Sequence, residues 1–451
     1  MLASTIGSAI EWYDFYLYST ASTLVLGPLF FPQQSPTTAT LASFATYAAG
    51  FIARPLGGAV IGHFGDRIGR KSMLVLTLLV MGGATFLVGV LPTYEQVGIW
   101  APVLLVTLRL IQGIGIGGEW GGGVLMTTEH ARPHRRGLFS SFPAAGFPLG
   151  LAASTGVISL VALLPDRELL SWGWRLPFLA SSVLVAVGIA VRLKVAESPE
   201  FVRERSGGRL SRVPITGVLK ERPRQLLKGA LAALGLAMIV STYSVYLPAY
   251  ASGRPGARSE LLNGLMAGAL LEAVLLPVFG LLSDRLGRRR IILFGYTVCA
   301  IVVLPAPHWL TSGNSSLTAL TFLLAMGIGH AAVYGGFAAF LVEQFPTRHR
   351  YSALALTYQL GATLASFGPL VAGALAGGDR TAAPGQYLLL ATLLVAGIAV
   401  ATTRSDSHAV EGTTRSAPLN QHRPGPLPHS QGTAVDTHRS VREAGRGTGG
   451  P

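Results

Sequence analysis

Glu11 and Asp14 stand three residues apart in the apolar stretch Ser8-Ala-Ile-Glu-Trp-Tyr-Asp-Phe-Tyr-Leu-Tyr-Ser19, and Tyr18 follows four residues later. That spacing puts all three on one face of a helix. Arg109, Gln112, Ile116 and Glu119 obey the same three-then-four rule further along the chain. An ionised side chain facing lipid costs at least about 2.5 kcal/mol, so both faces must look into protein or a wet cavity. Arg109 and Glu119 are separated by about 15 Å of helix and cannot pair with each other; each needs a partner on another helix. The plain chemistry is a buried ion pair. The functional chemistry is a carboxylate that loads and releases a proton, with an arginine that attracts an anionic ligand. Arg54, before Pro55, is a further cation in an apolar run, or a contact for lipid phosphate at its end. The second half is poorer in charge, with Glu272, His330, Tyr243, Tyr246 and Tyr334 as its main polar candidates. A lone interior histidine usually has a satisfied structural role, so this asymmetry places proton handling mostly in the first half.

The elements that carry these residues follow from composition. Of 451 residues, 50% are hydrophobic and 12% charged, with a formal net charge of +14. A helix needs about 20 apolar residues to cross a bilayer, and such runs recur at 2–26, 38–61, 73–92, 101–126, 138–163, 175–193, 226–250, 260–282, 290–307, 317–342, 352–376 and 386–403. Twelve spans result. Lys and Arg gather in alternate loops: Arg67, Arg70 and Lys71; Arg132, Arg135 and Arg136; Lys194 to Lys228; Arg285 to Arg290; Arg348 and Arg350. This pattern predicts that both termini are cytoplasmic, and it explains the positive charge without nucleic acid. The single Cys299 excludes disulfides within the chain. No signal-peptide cleavage site is visible. Residues 1–193 and 226–403 are expected to form two six-helix halves. Residues 194–225, polar, basic and interrupted by Pro199, Pro214 and Pro223, are expected to connect them. The tail 404–451 is rich in Pro, Gly, Ser, Thr, His and Arg and is expected to be disordered. Its four histidines are too widely spaced to make a metal site.

An internal repeat supports the division. Gly62-His-Phe-Gly-Asp66-Arg67-Ile-Gly69-Arg70-Lys71 returns as Gly280-Leu-Leu-Ser-Asp284-Arg285-Leu-Gly287-Arg288-Arg289, and Glu129 to Arg136 returns as Glu343 to Arg350. Such a loop can be a simple basic turn. Occurring twice between apolar hairpins, it predicts a conformational latch: an Asp accepts hydrogen bonds at a neighbouring helix N-terminus, and arginines hold acids such as Glu129 and Glu343. The candidate cytoplasmic gate is therefore Gly62, Asp66, Arg67, Arg70, Glu129, Arg136, Asp284, Arg285, Arg288, Glu343 and Arg350. Gly113-x-Gly115-x-x-Gly118 matches a dinucleotide fingerprint, but no strand precedes it. Gly113, Gly117 and Gly121 instead form a small-residue stripe for close helix packing.

The chain resembles the major facilitator superfamily, and more narrowly its metabolite:proton symporters, which include shikimate, 2-oxoglutarate, citrate and proline/betaine carriers. The stretches that carry the resemblance are Glu11-Trp-Tyr-Asp-Phe15, Ala53-Arg-Pro-Leu-Gly-Gly58, Gly62 to Lys71, Leu108-Arg-Leu-Ile-Gln-Gly113 with Gly117-Gly-Glu-Trp-Gly-Gly122, Gly173-Trp-Arg-Leu-Pro-Phe178, Gly280 to Arg290 and Glu343 to Arg350. The resemblance implies an all-α integral membrane protein whose two pseudo-symmetric halves alternate access to a central cavity. It implies proton-coupled uptake of a small polar metabolite, an organic acid or zwitterion, by a functional monomer in the cytoplasmic membrane, with the lipid bilayer, the substrate and protons as its only partners. Asp14 or Glu119 would couple protons; Arg109, Arg54, Glu11, Tyr13, Trp12, Gln112 and Tyr246 would bind or shape the substrate site. Export on the same scaffold and a non-transporting sensor are the alternatives. No cofactor or metal is expected, and no phosphate-cradling loop or nucleophile triad suggests an enzyme. The chain begins almost inside its first span, without the family's basic leader, which points to a truncated or misassigned start. The tail lacks the heptads of osmosensing betaine carriers, which weakens an osmoregulatory role without excluding betaine.

Overall fold

The computed structural model describes residues 2–21, 25–31, 36–161, 164–206, 214–251, 257–376 and 381–403. The expected tail at 404–451, and the loop residues Arg254, Asp379 and Arg380, lie outside them. Among the described residues the regular structure is entirely helical. That is what a lipid environment demands of apolar chain, because only a helix satisfies its own backbone polar groups within one segment.

Twelve long helical segments run in chain order. They are α1 (Leu2–Ala21), α2 (Pro36–Gly65), α3 (Arg70–Val90), α4 (Trp100–Glu129), α5 (Arg136–Ala144, continued by Gly146–Val161) and α6 (Arg175–Leu193). In the second half come α7 (Pro223–Ala251), α8 (Ala257–Leu286), α9 (Arg288–Val302), α10 (Ser315–Val342), α11 (Thr347–Leu375) and α12 (Ala383–Ala401). By length and composition 9 spans among the described residues can cross a membrane, and α1, α2 and α9 complete the twelve. Large apolar side chains such as Val183, Val274, Ile301 and Leu370 stand exposed on the outside. On a water-soluble protein this much exposed apolar surface would drive aggregation; around helices long and apolar enough to cross a membrane it is the kind of surface that suits lipid tails.

The prolines expected to break the connector instead begin helices, Pro199–Ser206 and Pro214–Glu221, and Pro223 opens α7. Proline suits that first position because its missing N–H has no intrahelical partner to lose.

The glycine stripe of α4 packs as expected. A Cβ on Gly113 would lie 2.2 Å from the Gly50 carbonyl oxygen and one on Gly117 2.3 Å from that of Arg54, so α4 and α2 are in backbone contact. Gly121 faces Ala355 of α11. Two other glycines are required by backbone geometry. Gly69 and Gly287 immediately precede α3 and α9 with φ of 136° and 96°, values that L side chains rarely adopt. Across the halves, α2 packs on α11 and α5 on α8. Lys228 Nζ donates to the Thr402 carbonyl at 2.8 Å, which sets the end of α12 beside the start of α7 on the face that carries the basic loops.

Candidate functional site

Asp14 is buried at the meeting of α1, α3 and α4. Its Oδ2 accepts from Thr85 Oγ1 and, at 2.5 Å, from Gln112 Nε2. The Gln112 amide then turns back along α4, its Oε1 accepting from Arg109 Nη1. The Arg109 guanidinium lies 3.6 Å from the centroid of the Tyr18 ring, a cation–π contact. Oδ1 of Asp14 is buried with no hydrogen-bond partner among the described residues. Asp14, Tyr18, Arg109 and Gln112, picked out by helical spacing, are thus one cluster, and Thr85 is the member that spacing missed.

Glu119 belongs to a different cluster. Both of its oxygens are taken: Oε1 by Arg192 Nη2, and Oε2 by Arg192 Nη1 at 3.0 Å and Thr77 Oγ1 at 2.8 Å. Arg192 also donates to the Leu74 carbonyl. This is the bidentate geometry that makes arginine–carboxylate pairs strong, and the pair is buried. The partner on another helix that Glu119 requires is Arg192 of α6.

Glu11 is buried and sits in the field of Arg54, Glu119, Arg192 and Asp14. Arg54 lies over the Phe51 ring at 4.2 Å. The aromatic candidates divide. Trp12 packs edge-on against Phe147 of α5 at 4.8 Å. Tyr13 donates to the Pro177 carbonyl of α6 at 2.8 Å, and Tyr246 to the Thr381 carbonyl at 3.1 Å, so both hydroxyls are committed to structural contacts. An aromatic group lies between the halves, and of its members only Tyr334 was a sequence candidate: Trp120 of α4 stacks on Tyr358 of α11 at 4.1 Å and donates from Nε1 to Tyr334 of α10 at 3.1 Å.

On the basic face the two repeated loops make two equivalent contacts across the halves. Asp66 accepts from Tyr351 N at 3.1 Å, Ser352 N at 2.9 Å and Ser352 Oγ at 2.8 Å, capping α11. Asp284 accepts from Gly137 N and Leu138 N, both at 2.9 Å, capping α5. Gly62 and Gly280 allow the approach: a Cβ on the first would lie 2.7 Å from Ser352 Cα, and on the second 2.7 Å from the Gly137 carbonyl. The arginines also pair by repeat, Arg70 with Glu129 at 3.3 Å and Arg288 with Glu343 at 3.2 Å. Arg350 bridges Glu129 at 3.2 Å and Glu200 at 2.5 Å, while Arg136 holds the other Glu200 oxygen at 2.7 Å. Burial would raise the Glu200 carboxyl, but the Arg350 and Arg136 guanidinium groups hold it below its ordinary value. Burial pushes Asp66 up to about 6 against the opposing influence of Arg70 and the bonds from Ser352 and Tyr351. Two expected gate residues stand apart: Arg67 and Arg285 are exposed and make no ion pair with a described residue.

Two capping contacts cross between the halves on one face, a polar cluster lies between α1 and α4, and an internal repeat relates two six-helix halves. The model of the Major Facilitator Superfamily matches residues 5–369 and 259–442. The chain belongs to the Major Facilitator Superfamily. It is 41% identical to the inner membrane metabolite transport protein YhjE of Escherichia coli over 398 residues, covering 86% of this chain and 90% of that protein. It is 40% identical to the shikimate transporter of the same organism, covering 83% and 86%, and 30% identical to its proline/betaine transporter, covering 92% and 85%. Among solved structures, the proton:xylose symporter XylE bound to 6-bromo-6-deoxy-D-glucose superposes with a TM-score of 0.74 at 18% identity, over 88% of this chain and 93% of that one. The inward-open form of the E. coli xylose transporter XylE gives 0.61 at 19% identity, over 89% and 95%.

As a superfamily member this is a multi-pass membrane protein, and residues 197–221 add contacts to the same basic face. Glu197 accepts from the backbone N–H groups of Arg70 at 3.2 Å and Lys71, capping α3, and Ser198 Oγ donates to Glu129. Glu221 accepts from Arg348 at 2.6 Å. In sequence these acids read only as connector polarity; a carboxylate just before a proline-started helix, beside a loop rich in arginine, was the available signal.

Proposed function

We propose that the chain is a proton-coupled symporter that takes up a small polar metabolite, an organic acid or a zwitterion, with Asp14 as the coupling carboxylate. Asp14 Oδ1, buried and without a hydrogen-bond partner among the described residues, carries this reading. A carboxylate oxygen left without a donor in an apolar interior is expensive, by about 1–3 kcal/mol or more, and taking up a proton removes the cost. Glu119, held at both oxygens by Arg192, has no such need. Metabolite transport is supported by the relatives, among them carriers of shikimate and of proline and betaine.

In this reading Arg109 and Arg54 attract the substrate carboxylate, with Gln112 between Arg109 and Asp14. Glu11 and Trp12 line the site, together with the Trp120 and Tyr358 stack. Tyr13 and Tyr246 hold the helices that frame it. Residues 1–193 and 226–403 rock about the cavity, joined by 194–225, and the basic face is cytoplasmic by its charge. The crossed Asp66 and Asp284 caps hold that face shut, so the arrangement described is closed to the cytoplasm.

The test is uptake into proteoliposomes holding the full chain, with radiolabelled shikimate, 2-oxoglutarate, citrate, proline and betaine. An imposed inward proton gradient should concentrate at least one of them. Asp14→Asn should abolish that accumulation and keep counterflow exchange within about threefold, because exchange needs no net proton movement. Accumulation that ignores the proton gradient, or survives in Asp14→Asn, would overturn the assignment.

A further inference from the structure

The second half contains a buried titratable pair that the reading above leaves unused. Glu272 of α8 is 0% exposed and His330 of α10 is 2% exposed, with Glu272 Oε1 2.7 Å from His330 Nδ1. The other carboxylate oxygen, Oε2, is buried and has no hydrogen-bond partner among the described residues. No Lys or Arg among the described residues makes an ion pair with Glu272. His330 closes the wide π-helical stretch Leu323–His330 within α10, a distortion that concentrates at functional positions.

The surroundings of the pair reach across both halves. The His330 ring meets Phe147 of α5 at 6.0 Å and Tyr334 at 5.5 Å. Phe147 in turn carries Trp12, the neighbour of Glu11, on its edge, and Tyr334 accepts from Trp120 of α4. The titratable groups facing the pair are Cys299 from α9, which feels the charge of Glu272, and Tyr334 from α10. From α5 the contact is Phe147, which does not titrate.

We propose that Glu272 and His330 form a second proton-binding site, in the second half of the protein, which exchanges its proton with water when the halves part. The proposal rests on the transporter reading only for that parting. With one proton the pair is neutral, as neutral imidazole and carboxylic acid, the uncharged arrangement that a dry interior favours; the proton is shared between Oε1 and Nδ1. Losing it to water leaves a carboxylate beside a neutral ring, a net charge of −1. In a dry apolar interior that charge is costly, so the pair takes a proton back from water before the cavity closes. Phe147 belongs to the first half and covers the ring here; separating the halves removes that cover. The inference revises the asymmetry read from sequence, since each half then holds one buried carboxylate with an oxygen left open for a proton.

Infrared difference spectroscopy on the full-length protein in lipid bilayers tests this without knowledge of the substrate. Between about pH 5 and about pH 9, a range that brackets an ordinary imidazole, the spectrum should contain a protonated-carboxyl band that vanishes with rising pH. Glu272→Gln should lack it. His330→Asn should move its midpoint by one pH unit or more, a tenfold change in proton affinity. Asp14→Asn should retain it and lose a separate band, so the two carboxylates are judged independently. A folded Glu272→Gln protein with an unchanged set of carboxyl bands would overturn the proposal. Should that variant not fold, ring-nitrogen NMR of the wild-type histidines decides: once the acid ionises, a solvent-protected neutral imidazole must move its N–H from Nε2 to Nδ1 to donate to the carboxylate, and the absence of any such tautomer change across the range overturns the proposal equally.

Discussion

At the residue scale, the two acids of α1 and α4 that sequence reasoning treated as alternatives are separated by their partners. Glu119 is half of a buried pair, and removing one partner of such a pair costs about 3–5 kcal/mol by leaving the other charge uncompensated. Glu119→Gln should therefore destabilise the protein strongly, while Glu119→Gln with Arg192→Met should recover most of the loss; thermal unfolding of the purified variants measures both. A double variant as unstable as the single one would mean that the pair has a role beyond cancelling its own charges. Gln112→Leu removes the amide that joins Arg109 to Asp14. It should raise the KM for uptake about tenfold or more, equivalent to one lost hydrogen bond to a charged group. Glu11, Asp14, Arg109, Gln112 and Glu119 were legible because charge and amide in an apolar run are conspicuous. Thr85 was not, since threonine is ordinary in such runs. Arg192 was hidden by its position, where the last turn of α6 merges into a basic connector and reads as its flank.

At the element scale, the proposed latch is a set of helix ends held by acids. Asp66→Ala deletes the acceptor of the Tyr351 and Ser352 N–H groups near the start of α11, and it should shift the population toward the form open on the basic face. Spin labels on the basic-face ends of α2 and α11 would report it as a longer distance component. The same labels test pH. Because Asp66 is raised to about 6 in the closed form, the closed form binds that proton more tightly than a solvated carboxyl of 3.8 does. Closure should therefore strengthen as pH falls from 7 through 6 toward 4. Glu200 has the opposite sign: burial raises it, but Arg350 and Arg136 outweigh that and hold it below its ordinary 4.5, so it supports closure above that value and loses its contribution as pH falls further. A single monotonic trend in the label distances would sink this pairing of signs. Gly117→Leu would place a side chain where even a Cβ lies 2.3 Å from a backbone oxygen, so the yield of folded protein should fall severely. That each repeated Asp-Arg-x-Gly-Arg loop places an Asp to cap a neighbouring helix N-terminus was legible; the positive φ of Gly69 and Gly287 was not read. Which helix each Asp caps was not, because the contact from Asp66 to Ser352 spans 286 residues. The connector helices were missed because proline was read as a breaker where it is a starter.

At the scale of the whole molecule, the repeat, the twelve spans and the face that carries the basic loops all follow from where apolar runs and arginines fall. The buried aromatic layer of Trp120, Tyr334 and Tyr358 did not: Tyr334 was a candidate by itself, but Trp120 and Tyr358 are unremarkable inside a membrane helix until the partner half is placed against them. The crossed caps have one more consequence. Asp66 of the first half caps a helix of the second, and Asp284 of the second caps the corresponding helix of the first. Each unit gives what it receives, which is the rule of an isologous two-fold dimer. If residues 194–225 connect the halves as proposed, they act as a tether that raises the effective concentration of one partner around the other, while the interface itself is written into both units. Co-expressed as two separate polypeptides cut between residues 207 and 213, the halves should find each other and co-purify, and Asp66→Ala with Asp284→Ala should weaken that association far more in the split protein than in the intact one.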